Sequence, residues 1–141
     1  MIDKSIIGRR GPQFTCIVEA GKLKEYAAAV NETSDCFWSD DDPEGLLAPP
    51  TFTHVFRSGK AELLFSSGVD AAKILQGEHE ITYHRPLRAG DEITYHLEIV
   101  DYFEKVGNRS GPMDIIVVQT ILRNKSGEPV QTIRQTFVHQ R

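Results

Sequence analysis

Between Met113 and Leu122 the chain is apolar on both alternating phases, with Ile115 and Val117 on one and Ile116 and Val118 on the other. A strand patterned this way must be covered on both faces, which places it at the centre of a sheet. Its neighbours in sequence carry the half-buried pattern instead. Ile93, Tyr95, Leu97 and Ile99 alternate with Glu92, Thr94, His96 and Glu98, so one face is dry and the other wet. Asn124-Lys125-Ser126-Gly127 reads as a turn, and Val130 to His139 returns as a hairpin partner. Glu78 to Tyr83 is a further strand, ended by Arg85-Pro86. Strands joined by short hairpins run antiparallel.

The first half of the chain has a different period. Phe14 to Val18 alternates as a short first strand, and Leu23, Tyr26, Ala27 and Val30 then fall on one face of a helix of about three turns. From Asn31 to Pro50 regular patterning stops among Asp, Gly and Pro. A structureless stretch of this length in a compact domain is a natural place for a site. Thr51 to Phe65 follows as an expected helix, apolar on one side through Phe52, Val55, Phe56 and Leu63, with Pro50 suited to its first position. Gly59 inside that helix costs about 1 kcal/mol relative to Ala, which a close approach of another backbone would justify. A short helix is expected around Asp70 to Leu75. One sheet with one apolar helix to bury should wrap around it, which makes an α+β architecture.

The 141 residues suit a single domain, 1–141, and 40% hydrophobic with 26% charged residues excludes a disordered chain. A net charge of −4 without any Lys or Arg block argues against nucleic acid and against an anionic membrane surface. Cys16 and Cys36 fit neither a zinc site nor a disulfide scaffold, and two reduced thiols point to the cytoplasm. Met1 to Pro12 lacks the apolar run of an export signal, and no stretch reaches membrane-spanning length.

Three segments carry a family resemblance: Leu23-Lys24-Glu25-Tyr26-Ala27-Ala28-Ala29-Val30, Gly45-Leu46-Leu47-Ala48-Pro49-Pro50-Thr51-Phe52 and Tyr83-His84-Arg85-Pro86-Leu87-Arg88-Ala89-Gly90-Asp91. In order and spacing they resemble the MaoC-like dehydratase superfamily, in its N-terminal-half or HadA-like branch. The resemblance implies a hot-dog fold, an antiparallel sheet wrapped around a central α-helix formed by Phe52 to Phe65. It also implies a dimer or pseudo-dimer with acyl-thioester sites at the interface. Within the third segment Pro86 ends a strand ladder, Gly90 allows a positive φ, and Asp91 can cap the turn.

Reversible hydration of an enoyl thioester requires a base for water, an acid for the α-carbon, and donors aimed at the thioester oxygen. In active relatives an Asp and a His five residues apart follow the first helix. Matching from Tyr26-Ala27, Glu32 stands at the Asp position and Phe37 at the His position. Phe carries no proton. Pro50 stands where a glycine N–H would face the oxygen, and proline has no N–H, though Thr51 can still donate. Glu32 and His54 are the candidate replacement catalytic residues. Phe37, Trp38, Pro50, Thr51 and Phe52 are the candidate substrate-binding residues. His79 shares a face with Ile81 and Tyr83 and reads as structural, while His84 and His96 fall on the outward phase. The Asp35, Asp40, Asp41 and Asp42 cluster lacks the spacing of a calcium loop, so no metal is expected.

These features lead to a non-catalytic, channel-forming subunit of a heteromeric (3R)-hydroxyacyl-thioester dehydratase, a lyase of fatty-acid metabolism. The expected partner is a catalytic HadB-like chain, with coenzyme A or acyl carrier protein as part of the substrate and no other cofactor. Two alternatives stand beside it. One is an active homodimeric hydratase or thioesterase using Glu32 and His54, and the other is a module that binds an acyl thioester or another apolar ligand without chemistry.

Overall fold

The computed structural model describes residues 2–42 and 44–141. It contains strands Phe14–Ile17 (β1), Ile74–Tyr83 (β2), Glu92–Tyr95 (β3), Leu97–Gly107 (β4), Gly111–Arg123 (β5) and Pro129–Gln140 (β6), with helices Ala20–Ala29 (α1) and Lys60–Ser66 (α2). All pairings are antiparallel, in the order β1-β3-β5-β6-β2, with β4 also on β5. β3 and β4 are one run broken at His96. Both lie along β5, through Thr94 opposite Arg123 and then Leu97 opposite Thr120. The two-phase apolar pattern of β5 therefore has its predicted cause. β5 has partners on both sides, and Ile115, Ile116, Val117 and Val118 are all buried.

α1 buries Leu23 and Ala27 completely. Asn31 takes φ 56° just past its end, the left-handed conformation that stops a helix and that Asn tolerates. Val30, expected on the apolar face, is instead the C-terminal cap and is exposed. The helix expected around Asp70 to Leu75 is one 3-10 turn, Ala71–Lys73, after which β2 begins at Ile74.

The central helix is the main departure. Where the apolar pattern predicts a continuous helix over Thr51 to Phe65, the chain forms a 3-10 segment, Pro50–Val55, breaks, and resumes as α2. Gly59 lies in the break at φ 78°, as the N-cap of α2. A Cβ there would stand 3.1 Å from the Phe14 ring and 3.3 Å from Pro12. The glycine is needed for a left-handed turn against the β1 segment, not for packing inside a helix. Phe52, Phe56, Leu63 and Leu64 from both halves enter the core with Tyr95, Ile99, Ile116 and Phe137. The sheet thus wraps an interrupted helix.

The segment after β2 clamps the long loop. Arg88 donates to the Gly45 carbonyl and the Asp42 carboxylate at 2.7 and 3.0 Å and pairs with Glu44. Leu87 is buried, and backbone bonds tie Ala48 to Leu87 and Ala89 to Leu46. The Asp91 carboxylate accepts the Arg88 N–H at 2.8 Å, and Gly90 has φ 91°. At the far end of the sheet, buried Asp114 accepts from Tyr102 at 2.7 Å and from the Arg141 guanidinium, and lies 3.4 Å from His139 Nδ1. His139 Nε2 accepts the Asp70 N–H, so the ring proton is on Nδ1, facing Asp114.

Candidate functional site

Two tyrosines hold the start of the 3-10 segment. From α1, the Tyr26 hydroxyl lies within 2.9 Å of both the Thr51 carbonyl and the Thr51 hydroxyl. From β2, the Tyr83 hydroxyl donates to the Pro50 carbonyl at 2.7 Å. Tyr26 also packs edge-on against Phe52. Residue periodicity placed both tyrosines on element faces, but their hydroxyl contacts depend on the tertiary fold and leave no mark in either segment alone.

Beside this anchor runs an apolar groove of about 370 Å³, lined chiefly by Ile17, Val18, Tyr26, Phe52, Val55 and Phe56. Cys16 also lines it, and partial burial pushes its thiol pKa up, away from the thiolate that a nucleophile requires. Phe52 is thus on the groove wall, while Phe37 and Trp38 are not among its lining residues. Pro50 faces a second cavity on the other side of the anchor, with Tyr83, His84 and Gln131.

In the loop after α1, Phe37 is buried in a short 3-10 turn, Asp35–Phe37. The Trp38 indole N–H donates to the Glu32 carbonyl at 2.6 Å. The Glu32 carboxylate accepts from the backbone N–H of Thr33 and Ser34 and from the Ser34 hydroxyl, at 3.0, 3.0 and 2.8 Å. The Ser34 and Thr33 donors hold the Glu32 pKa below the ordinary carboxylate value, the opposite of what a base poised near neutrality requires. The acidic cluster is dispersed: Asp40 pairs with Lys24 and Asp42 with Arg88. Among the described residues no group of three or more His, Cys, Asp or Glu converges as a metal site.

His54 lies apart from Glu32, in a polar pocket between the interrupted helix and the sheet. Its exposed ring stacks on His79 with centroids 4.4 Å apart. The His79 Nδ1 meets the side-chain amides of Gln135 and Gln76 at 3.0 and 3.3 Å. Glu32 and His54 share neither a hydrogen bond nor a lined cavity.

Comparison with known proteins bears on the family and the fold. Residues 5–133 match the FAS1-like, dehydratase domain region. A UPF0336 protein of Saccharopolyspora erythraea is 29% identical over 97% of this chain and 90% of its own length. One from Cutibacterium acnes is 33% identical over 89% of this chain and 84% of its own. Among solved structures, the HadBC (3R-hydroxyacyl-ACP dehydratase) complex of Mycobacterium tuberculosis is similar at TM-score 0.78 and 25% identity, covering 94% of this chain and 96% of that one. A MaoC-like dehydratase gives TM-score 0.83 at 28% identity over 97% of this chain, but this chain spans only 43% of that one. With its residues 5–133 inside that domain pattern and its sheet wrapped around an interrupted helix, the chain belongs to the FAS1-like, MaoC-type hot-dog dehydratase family.

Proposed function

We propose that this chain is the non-catalytic subunit of a heteromeric (3R)-hydroxyacyl-thioester dehydratase of fatty-acid metabolism, working in the cytoplasm. It forms part of the substrate channel while a hot-dog partner supplies the Asp and His. The observation that carries this reading is the buried Phe37 at the position of the proton-transferring imidazole. Glu32, at the position of the partner carboxylate, is occupied by three donors of its own loop. Pro50 contributes no N–H at the helix start, and that start is secured by tyrosines through its carbonyls.

The apolar groove beside Phe52 offers the acyl chain a wall, and coenzyme A or acyl carrier protein would remain outside as the thioester's carrier. The similarity to a chain of a heteromeric dehydratase complex supports a paired arrangement. So does β2, a strand of ten residues hydrogen-bonded on one side only, by β6, among the described residues. Unpaired N–H and C=O groups along such an edge are a template for a partner strand.

The test is reconstitution. The purified chain should not hydrate crotonyl-coenzyme A, and adding a hot-dog chain with an intact Asp/His pair should give a complex more active than that chain alone. Phe37→His in the isolated chain is expected to remain inactive, because Glu32 stays committed to Thr33 and Ser34. Hydration by the isolated wild-type chain that is lost in Glu32→Gln or His54→Ala would overturn the reading in favour of a self-sufficient enzyme.

A further inference from the structure

The polar pocket behind the interrupted helix has a composition that neither the acyl groove nor the delegated chemistry explains. Its volume is about 120 Å³, and its polar lining comes from Thr53, His54, Arg57, Lys60, His79 and Gln135, with Gln76 and Thr120 beside them. Water occupies roughly 30 Å³ in the liquid, so this space holds a group of a few heavy atoms and not an alkyl chain.

Two buried polar atoms here have no partner, Thr53 Oγ1 and His79 Nε2. Thr53 itself is only 2% exposed. The state of His79 follows from its other nitrogen. The Gln135 and Gln76 amide nitrogens both approach Nδ1. A nitrogen that receives amide donors is the unprotonated one, so the neutral ring carries its proton on Nε2. That N–H is then a buried donor with nothing to donate to, a situation native proteins rarely leave unresolved.

The charges are equally one-sided. Arg57 and Lys60 line the pocket, and no Asp or Glu does. Among the described residues neither cation is in an ion pair. The nearest carboxylates in sequence look elsewhere: Glu78 accepts from Thr136 on the other face of the sheet, and Glu62 and Glu80 are exposed. Lys60 is half-buried with its ammonium 5.5 Å from the Phe137 ring centroid. Burial and then Arg57 push the Lys60 pKa down, and burial, His54 and Lys60 do the same to His79. The cluster lacks a counter-ion.

We infer that this pocket binds a phosphate group, with Arg57, Lys60, the His79 Nε2–H and the Thr53 hydroxyl as its donors. Two unpaired cations, Arg57 exposed and Lys60 half-buried, suit a dianion, and a phosphate offers four donor side chains from the interrupted helix and β2 more acceptor oxygens than a carboxylate does. Charge-assisted hydrogen bonds of this kind are the strong ones. The phosphate has two sources, the free ion or a phosphate carried by a coenzyme A thioester. The inference stands apart from the delegated chemistry, because it concerns binding by the isolated chain.

The experiment is titration of the intact chain with sodium phosphate against sodium chloride at matched ionic strength, followed by calorimetry and by the side-chain NMR signals of its histidines. Saturable phosphate binding is expected, with the His79 pKa rising on binding, since an adjacent anion favours the imidazolium. Lys60→Met and, separately, Thr53→Val should each weaken binding, the former by about ten-fold or more. Coenzyme A that displaces phosphate would assign the site to the substrate's carrier, and coenzyme A that leaves it bound would assign it to the free ion. Phosphate behaving as chloride does, or binding equally well in a folded Lys60→Met chain, would overturn the inference.

Discussion

Asp114 shows how one residue can hold a distant part of the chain. The residue is 2% exposed, and its carboxylate contacts Tyr102, Arg141 and the Nδ1 side of His139. Burial alone would raise its pKa, but the hydrogen bonds from Arg141, Tyr102 and His139 outweigh it and hold the value below the ordinary one. Asp114→Asn should therefore cost about 2 kcal/mol of unfolding free energy at neutral pH, since it removes a charge-assisted network and leaves Arg141 to water. A carboxylate whose folded pKa is depressed stabilises above its unfolded value and loses that contribution as pH falls through the folded one. The gap between wild type and variant in urea denaturation should consequently narrow below about pH 4, and a gap that widened in acid would refute the assignment. The same residue scale governs what could be read at the candidate site. Glu32 and Phe37 could be matched to the expected Asp and His positions because they sit in one short stretch at a fixed spacing from Tyr26-Ala27, and Pro50 through its own segment, Gly45 to Phe52. Tyr26, Tyr83 and His79 act through contacts 25 to 56 residues away in sequence, and no local pattern encodes such a contact.

At the scale of elements, the interrupted helix is where pattern and structure separate. Phe52, Phe56 and Leu63 keep a helical spacing across the break, because both halves bury the same side against one sheet, whereas Val55, expected on that side, is exposed. Periodicity records which side is buried and is blind to whether the hydrogen bonds between turns continue. Only Gly59 marks the interruption, and its meaning depends on φ 78° and on Phe14 and Pro12, which the first strand brings close. The two readings of this glycine predict opposite signs. In a continuous exposed helix Gly59→Ala would stabilise by about 1 kcal/mol. In the left-handed turn against Phe14 it should destabilise by about 1–2 kcal/mol. Equilibrium denaturation of the single variant decides between them, and a stabilised protein would restore the continuous helix.

At the scale of the molecule the fold was legible for a simple reason. A sheet shows its central strand by apolar residues on both phases and its half-buried strands by alternation, and here β5 and the β3–β4 run supply one of each. Association is less legible in sequence, because an edge strand and an internal one can have the same composition. β2 exposes most of its residues, Leu75 at 64% and Tyr83 at 51% among them, although it makes a full ladder with β6. A strand left this open on its free side is an aggregation liability unless charge, a bulge or a partner protects it. The register shift between Gln76 and Glu78 disturbs the ladder near one end only, and the remaining length is regular. If the proposed partner adds a strand there, a charge at its apolar end should oppose docking without harming the domain. Leu75→Lys is suited to this, since its side chain is mostly in water in the isolated chain and surface substitutions of this kind usually change stability by no more than about 0.5 kcal/mol. Sedimentation should then show a shift from the associated species to the single chain, with an unchanged denaturation midpoint at protein concentrations low enough for the wild type to be unassociated. An unaltered assembly in the folded variant would move the interface away from this end of β2.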